Sequence, residues 1–309
     1  MLNNKIGKLE DSITIFTPTY NRGYIIKNCY ESLCRQNNKN FTWLIVDDGS
    51  TDNTEKLIES FIQDKKIKIN YIKQDNSGKH VAHNTAVRAC ETEVFVCVDS
   101  DDYLSDDAVQ TLYNEWEYIK NDDELAGVIG LRGESVTQPI GTWMPEDIEK
   151  SSIFNLYAKY KFKGDTIIAF KTSILKEFQF PIFENEKFVT EAVIYDKISQ
   201  RYKMKLLNKV LYICEYLNDG YTRNIYSIHK KNPNGYIYFL NQRIHMAKGF
   251  SATCLAVSYY FAGCLQINNM SYYKKYDNKL IKIIAIPRGI WIYVKPFIKN
   301  KLKKYISGK

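Results

Sequence analysis

Short apolar stretches alternate with amphipathic stretches along the first part of this sequence. The apolar stretches that predict strands are 12–17, 42–46, 67–73, 94–98 and 127–131. Between them, apolar residues recur every three or four positions, which is the spacing of one helix face. One helix in each gap predicts parallel strands that are joined by crossover helices. We therefore expect an α/β fold with a Rossmann-like, mostly parallel sheet flanked by helices.

The rest of the chain divides into three further patterns. Ser105 and the two acids after it predict the capped start of a helix, whose inward face is Val109, Leu112, Trp116 and Ile119. After residue 131 the pattern is irregular and punctuated by glycine and proline, and we interpret 132–230 as the second half of the same domain. The segment 231–309 predicts a helical, aromatic C-terminal region.

The positive charge of the chain is concentrated at its end. The formal net charge is +8, yet 271–309 holds eleven Lys or Arg residues and one acid, so the remainder is slightly acidic. In 280–306 an apolar stripe runs through Trp291, Val294, Ile298, Leu302 and Tyr305, with most lysines off it. This pattern predicts an amphipathic helix that lies on an anionic membrane surface. Pro287 and Pro296 favour two short helices over one.

The basic tail is also compatible with roles other than membrane binding. The tail can instead pack on the main domain or on a second subunit, so an oligomer is left open. Nucleic acid is disfavoured as a partner because the body is acidic and holds no nucleic-acid module. The seven cysteines are scattered, and neither a signal peptide nor a membrane span is visible. We expect a cytoplasmic protein that is peripherally associated with the inner face of the cell membrane.

Three polar clusters follow predicted strands, at the edge where open parallel sheets bind ligands. They are TPTYNR at 17–22, DDGSTD at 47–52 and VDSDDY at 98–103. The third cluster crowds three carboxylates, which is unfavourable without a cation. A hard divalent ion that shares its shell with phosphate oxygens and water would relieve the repulsion. The alternative is a solvated acidic turn.

In order along the chain, the motifs TPTYNR, VDDGSTDNT, NSGKHVAHN and VDSDDYL resemble those of the family 2 glycosyltransferases, which have the GT-A fold. The resemblance is strong over about the first third of the chain. It continues more weakly at Gly164 and Asp165, and in 186–191 and 219–222. It implies a nucleotide-binding half at 1–131 and an acceptor-side half at 132–230. A Rossmann dehydrogenase is disfavoured because no G-x-G-x-x-G follows the first strand.

The resemblance assigns donor-binding roles to several residues. Asp48 would accept a hydrogen bond from the N3–H of uracil, which favours UDP, and the other nucleotide or donor-sugar positions are Thr17, Pro18, Tyr20, Arg22, Lys79, Asn84, Asp99, Ser100 and Asp102. On residue type alone, Tyr20 is equally well a half-buried turn aromatic, and Asp48 a capping carboxylate.

Asp99 and Asp101 match the Asp-x-Asp motif of the family. By resemblance, Asp101 would ligate Mn²⁺ or Mg²⁺, and Asp99 would lie near the ribose or the metal. The ion would neutralise the departing diphosphate. Asp102 would orient hydroxyl groups of the donor or acceptor.

The resemblance also implies inversion at the anomeric carbon, which needs a base for the acceptor hydroxyl. Family members carry a Glu-Asp pair at this point, and the matching pair here is Glu191 and Ala192. Glu191 is our candidate base, although it can equally well complement a helix N-terminus. Glu186, Asp165 and Asp196 are the reserves. A loop at 220–223, which includes Arg223, resembles one that closes over the donor.

Together these features predict a metal-dependent hexosyl- or N-acetylhexosaminyl-transferase. It would move a sugar from a UDP-sugar to a hydroxyl of a cell-surface glycan or lipid-linked acceptor. The alternative, which Ala192 favours, is an inactive nucleotide-sugar-binding partner of another transferase. A nucleotidyltransferase is disfavoured because TPTYNRG is a poor version of its glycine-rich basic loop.

Overall fold

The computed structural model describes residues 12–214 and 221–306. The chain divides into two compact units, Met1–Phe180 with Ile194–Leu217, and Pro181–Val193 with Asn218–Lys309. This division assigns the segment Pro181–Val193 to the second unit. The predicted boundary at residue 230 stays a prediction.

The first unit is built on one sheet. Its strand order is β3-β2-β1-β4-β9-β6-β10-β5, with the short strands β7 and β8 at the sides of β6 and β10. The strands are β1 Ile13–Thr19, β2 Phe41–Asp47, β3 Lys68–Lys73, β4 Val94–Cys97, β5 Tyr103–Leu104, β6 Leu125–Ser135, β7 Gln138–Pro139, β8 Lys150–Ser151, β9 Thr166–Lys171 and β10 Lys203–Ile213.

Four neighbouring strands form the parallel half that the alternating pattern predicts. β1 pairs in parallel with both β2 and β4, and β2 pairs in parallel with β3. The crossover helices are α1 Ile26–Arg35, α2 Thr54–Asp64 and α3 Lys79–Ala89. β1 and β2 are buried along almost their whole length, on both faces, as the central strands of a parallel sheet are. The five predicted strands are confirmed, with ends that shift by up to a few residues.

The other half of the sheet is mixed. β9 pairs antiparallel with both β4 and β6, whereas β10 runs parallel to β6. Neither β9 nor β10 was expected in the irregular segment, because its glycines and prolines hide two apolar runs. The mixed α/β sheet flanked by helices agrees with the predicted fold class.

The helix predicted after Ser105 is α4 Ala108–Ile119, and its four expected inward residues are buried. Its N-cap differs from the prediction. Asp107 occupies the N-cap position without a side-chain cap bond, and the hydroxyl of Ser105 donates to the Asp107 carboxylate at 2.9 Å. The remaining helices of this unit are α5 Ile153–Ala158 and α6 Thr172–Glu177. Helix α7 Ala192–Ser199 contains the division between the two units.

The described part of the second unit is helical. Its helices are α8 Tyr221–Lys231, α9 Pro233–Met246, α10 Phe250–Gln266, α11 Ser271–Lys274 and α12 Lys279–Ile306. α10 packs on α9 and α12 around a core that includes Leu240, Val257, Phe261 and Ala285. A side chain at Gly289 would lie 2.6 Å from the Phe261 ring, so glycine lets α10 and α12 approach closely.

The C-terminal helix corrects one expectation. Instead of two short pieces, α12 is one helix of 28 residues with Pro287 and Pro296 inside it. Packing against α10 helps to hold the helical path despite the two backbone N–H groups that the prolines lack. In the described residues, no helix has the combination of length and apolar character that crossing a membrane requires.

Candidate active site

The three polar clusters meet at the carboxyl edge of the parallel half of the sheet. Thr19 at the end of β1 pairs in register with Asp47 at the end of β2, and the backbone N–H of Asp48 donates to the carbonyl of Thr19 at 2.8 Å. On the other side of β1, Val98 donates its N–H to Phe16 at 2.8 Å, just before the acidic cluster. Pro18 lies beyond the last residue pair between β1 and β4, where its missing N–H costs little.

Asp48 is a buried carboxylate that holds a neighbouring turn in place. It accepts hydrogen bonds from the Gln74 amide and the Ser77 N–H at 2.8 Å, and from the Gly78 N–H at 2.7 Å. These three bonds leave one of its roughly four acceptor positions for a ligand. Gly49 makes this approach possible, because it adopts a φ of 81° and a Cβ there would lie 2.9 Å from the Asn76 nitrogen.

A second set of bonds ties the loop after β1 to the turn after β2. The side-chain oxygen of Asn21 accepts from the Thr51 N–H at 2.8 Å, and the Asn21 N–H donates to the Ser50 hydroxyl at 2.8 Å. Arg22 donates its N–H to the Thr54 hydroxyl at 3.1 Å. The ring of Tyr20 is 48% exposed at this edge and so is accessible for stacking. Hydrogen bonds within the protein therefore hold both loops in shape.

Thr17 is placed differently from the other residues of its cluster. It is fully buried, and its hydroxyl accepts the indole N–H of Trp43 at 2.9 Å. This hydrogen bond links β1 to β2 in the buried part of the sheet. The predicted role of Thr17 in lining the nucleotide pocket stays a prediction.

The acidic cluster after β4 is balanced by cations from three other elements. The ammonium of Lys79, at the start of α3, lies 2.6 Å from one oxygen of Asp99, and the Arg132 guanidinium lies 3.8 Å from the other. Arg22 lies 3.9 Å from Asp101. Burial works to raise the pKa of Asp99, but Lys79 and Arg132 outweigh it and hold that pKa below its ordinary value.

The other two carboxylates respond in the opposite direction. Burial, and then repulsion from Asp99, raises the pKa of Asp101. The same two causes raise the pKa of Asp102 to about 6, although a hydrogen bond from Tyr212 opposes them. A raised carboxylate pKa means that an additional positive charge at this point would be favourable. Ser100, between Asp99 and Asp101, is buried in the turn.

Tyr212 holds this turn from β10. Its hydroxyl donates to Asp102 at 2.8 Å and accepts the Asp99 N–H at 2.9 Å. Its fully buried ring lies 4.0 Å below the Arg132 guanidinium, whose Nε donates to the Thr166 carbonyl at 3.0 Å. A single phenol thus positions two acids and one cation of the cluster.

Arg132 and Tyr212 were not identified from the sequence as site residues. Arg132 lies within β6, directly after the apolar run 127–131, and that position was a usable signal. Tyr212 lies inside an apolar run, where nothing local distinguishes a tyrosine that orients a site from one that fills the core.

The carboxylates of this cluster can hold a divalent ion only together with oxygen atoms of a bound ligand. Within 12–214 and 221–306, no three His, Cys, Asp or Glu side chains form a group that could hold a metal alone. Asp99 is already paired with cations, whereas Asp101 has a raised pKa and 25% side-chain exposure. One or two carboxylates, completed by diphosphate oxygens and water, make a shell of the kind that Mg²⁺ and Mn²⁺ take.

Asn84 and Lys79 lie on the same helix but face different partners. The Asn84 amide donates to the Phe180 carbonyl and accepts the Phe180 N–H, both at 2.9 Å. Asn84 is 2% exposed, so in this structure it fastens the backbone at Phe180. Lys79 points to Asp99 within the cluster. The predicted contact of Asn84 with the donor stays a prediction.

The candidate base lies in the second unit. Glu191 is half-buried and immediately precedes α7. Of its reserves, Glu186 is occupied, because its two oxygens accept the N–H groups of Asn234 and Gly235 at the start of α9, at 2.7 and 2.8 Å. Glu186 therefore complements a helix N-terminus, and the role of Glu191 stays a prediction.

The predicted closing loop is only partly covered. Asp219 and Gly220 lie outside the described residues, and 221–223 form the first turn of α8. The predicted role of Arg223 is therefore also outside what the structure describes.

Known proteins share this architecture and these motifs. The model of glycosyl transferase family 2 matches residues 14–179. A poly(ribitol-phosphate) beta-N-acetylglucosaminyltransferase, TarP of Staphylococcus aureus, is 25% identical over 242 residues, which are 74% of this chain and 70% of TarP. Glycosyltransferase GlyA of Streptococcus pneumoniae is 28% identical over 66% of this chain, which spans only 30% of GlyA.

Solved structures agree on the fold. S. aureus TarS 1–349 in complex with UDP-GlcNAc superposes with a TM-score of 0.60 at 16% identity, over 91% of this chain and 81% of that one. A mannosyltransferase from Pyrobaculum calidifontis, in complex with GDP-Man and Mn²⁺, gives a TM-score of 0.54 at 17% identity, over 91% and 88% of the two chains.

The fold is thus of the GT-A class, as in these solved structures. With a family model that matches more than half of its length, the chain belongs to glycosyl transferase family 2. The expected family is confirmed.

Proposed function

We propose that this protein is an inverting glycosyltransferase that uses a UDP-sugar as donor. The observation that carries the proposal is the edge where Asp48 and its turn adjoin Lys79 and the Asp99–Asp102 cluster. A nucleobase needs hydrogen-bonding groups, and a diphosphate needs cations, and this edge provides both. UDP-GlcNAc and UDP in the TarS complexes support uracil as the base.

In the proposed mechanism, Asp101, with help from Asp99, would hold Mn²⁺ or Mg²⁺, and the ion would supply positive charge to the leaving diphosphate. Tyr20 stacks on the base, and Asp48 accepts its N3–H. Lys79, Arg22 and Arg132 face the diphosphate side with positive charge, and Asp102 orients donor or acceptor hydroxyls. Glu191 takes the proton of the acceptor hydroxyl.

The acceptor proposal rests on the relatives. TarP and TarS are named as poly(ribitol-phosphate) beta-N-acetylglucosaminyltransferases, and another relative is a chondroitin synthase of Escherichia coli. We propose a hydroxyl of a cell-surface glycan or lipid-linked glycan as acceptor, with transfer of a hexose or N-acetylhexosamine. The sugar transfer would take place at the inner face of the cell membrane.

The deciding experiment is hydrolysis of nucleotide sugars in the absence of acceptor, with Mn²⁺ or with EDTA. A panel of UDP-sugars, with GDP-mannose as the contrasting base, is compared for the native protein, Asp101→Ala and the control Asp106→Ala. Asp106 is an exposed acid near the same turn that pairs with Arg35 at 3.1 Å. We expect metal-dependent release of UDP from one donor, lost in Asp101→Ala and kept in the control.

Two other results would change the proposal. If UDP does not bind even with metal, measured by calorimetry, the roles of Tyr20 and Asp48 fail. If UDP binds but no donor turns over with any glycan acceptor, the protein is the inactive nucleotide-sugar-binding partner that Ala192 favours. The anomeric configuration of the product, read by NMR, tests inversion separately.

A further inference from the structure

Helix α12 exposes a row of large apolar side chains. Ile283 is 69% exposed and Trp291 56% exposed, and the row is completed by Leu280, Ile284, Ile290 and Ile298. At 3.6 residues per turn these six positions fall within an arc of about 120°, so they share one side of the helix. Exposed apolar rows of this size usually mark an interaction surface.

A different side of α12 holds it in its own unit. Ile281 and Ala285 are buried in the core with α10, and Gly289 closes on Phe261. The exposed row is therefore additional to the side that stabilises the fold. Its side chains can contact a partner without unpacking the helix from α10.

The charge on α12 identifies the partner. The helix has eight Lys or Arg residues and no acid. Lys279, Arg288 and Lys295 are exposed among the apolar residues. A second copy of α12 on this row would bring two strongly positive helices together, whereas an anionic surface is complementary to it.

We propose that this row of α12 docks on an anionic lipid bilayer. The helix lies in the plane of the interface, with the apolar row among the upper acyl chains and the cations at the headgroups. At 28 residues the helix is roughly 42 Å long. Several basic residues and a short row of apolar ones give reversible attachment. This inference is independent of the donor chemistry.

The test is sedimentation of the full-length protein with vesicles of phosphatidylcholine, with and without phosphatidylglycerol. Ile283→Asn combined with Trp291→Asn removes the centre of the row. A matched control, Val136→Asn combined with Ile182→Asn, changes side chains that are 58% and 62% exposed elsewhere. We expect binding only to the anionic vesicles, weakened about tenfold or more by the first pair and unchanged by the control.

A charge variant separates the two contributions. Arg288→Gln combined with Lys295→Gln should weaken binding to anionic vesicles by about tenfold or more. It should also reduce the dependence on salt concentration. Circular dichroism spectra and thermal unfolding midpoints, equal in all variants, show that the fold is intact.

Three results would overturn the proposal. They are native protein that does not sediment with anionic vesicles, equal binding to neutral vesicles, and undiminished binding of the Ile283 and Trp291 pair. A native dimer in light scattering that the same pair dissociates, with vesicle binding unaffected, would instead assign the row to a second copy.

Discussion

The two ends of the candidate site are built on opposite principles. At the end of β2, Asp48 is surrounded by neutral donors, and three short hydrogen bonds fix the turn at 74–78. At the end of β4, three carboxylates lie together and are balanced by Lys79, Arg22 and Arg132. Neutral hydrogen bonds hold the first region together, whereas the second region depends on opposite charges that offset each other.

This contrast matches what each end would bind. A flat, neutral base is recognised by fixed hydrogen-bond geometry, and loosening that geometry mainly weakens binding. A diphosphate and a cation change the local charge when they bind and leave, so groups there must exchange partners. We therefore expect changes at the β2 end to raise KM, and changes at the β4 end to lower kcat.

The largest effect should come from Asp101→Asn, which keeps the shape and removes the charge. Donor hydrolysis with Mn²⁺ should fall by about 1,000-fold or more, because the leaving diphosphate loses its neutralising partner. Steady-state kinetics measures this, with Asp106→Asn as the control. Full metal-dependent activity in Asp101→Asn would mean that the metal is held elsewhere.

The next effect should come from Asp48→Asn, which places an NH₂ group against one of the facing N–H donors. We expect KM for the donor to rise about 100-fold with a smaller change in kcat, as the turn at 74–78 loosens. Asp52→Asn is the matched control. Asp52 also accepts hydrogen bonds from backbone N–H groups, those of Gly23 after β1 and of Thr54 at the start of α2. A drop confined to kcat would contradict the division of roles.

A smaller effect is expected from Tyr212→Phe, which removes one hydroxyl and keeps the ring below Arg132. The Asp99 N–H loses its acceptor and Asp102 its donor, so donor hydrolysis should fall about tenfold. Mn²⁺-dependent UDP affinity, measured by calorimetry, should weaken in parallel. The control is Tyr71→Phe, which removes a 2.8 Å bond to Asp47 at the other end of the site. If both variants behave alike, the turn is not held by Tyr212 in the way described.

The smallest effect at neutral pH should come from His80→Gln, next to the Gly78 turn. Burial lowers the pKa of His80 to about 4, against roughly 6.5 in an unfolded chain. The unfolded state therefore binds more protons between these values, and stability is full above pH 6.5 and falls as the pH drops towards 4. The loss reaches roughly 3 kcal/mol for this residue.

Urea unfolding from pH 7 to pH 4 checks the prediction. The fall in the free energy of unfolding should be shallower in His80→Gln than in native protein. It should not vanish, because burial also lowers the pKa of His229 to about 4. The control is His245→Gln, at an exposed histidine. If the free energy of unfolding falls equally steeply with pH in native protein and in His80→Gln, the fold does not lower the pKa of His80.

The sequence predicted the parallel half of the sheet because each of its elements carries a local signal. Short, mostly apolar runs mark β1 and β2, and polar clusters come at their carboxyl ends. The motif acids were found for the same reason. Lys79 was found through its motif, although the structure alone shows that Asp99 is its partner.

The other half depends on contacts between distant residues. β9 lies antiparallel between β4 and β6. Its position depends on pairing with strands that are distant in sequence, so no local pattern predicts it. Asn84 illustrates the same limit within a motif, since its amide is used by Phe180, 96 residues away. The prediction of two short helices was wrong because packing of α12 on α10 outweighs the local backbone preference of its two prolines.

The hydroxyl of Tyr212 reaches Asp102 across 110 residues of chain. Closing so long a loop is entropically costly, so contacts of this kind form late in folding. During synthesis, the acidic turn emerges from the ribosome well before the strand that fixes it. The order of synthesis therefore keeps the nascent chain from holding a fixed acidic turn until β10 has joined the sheet.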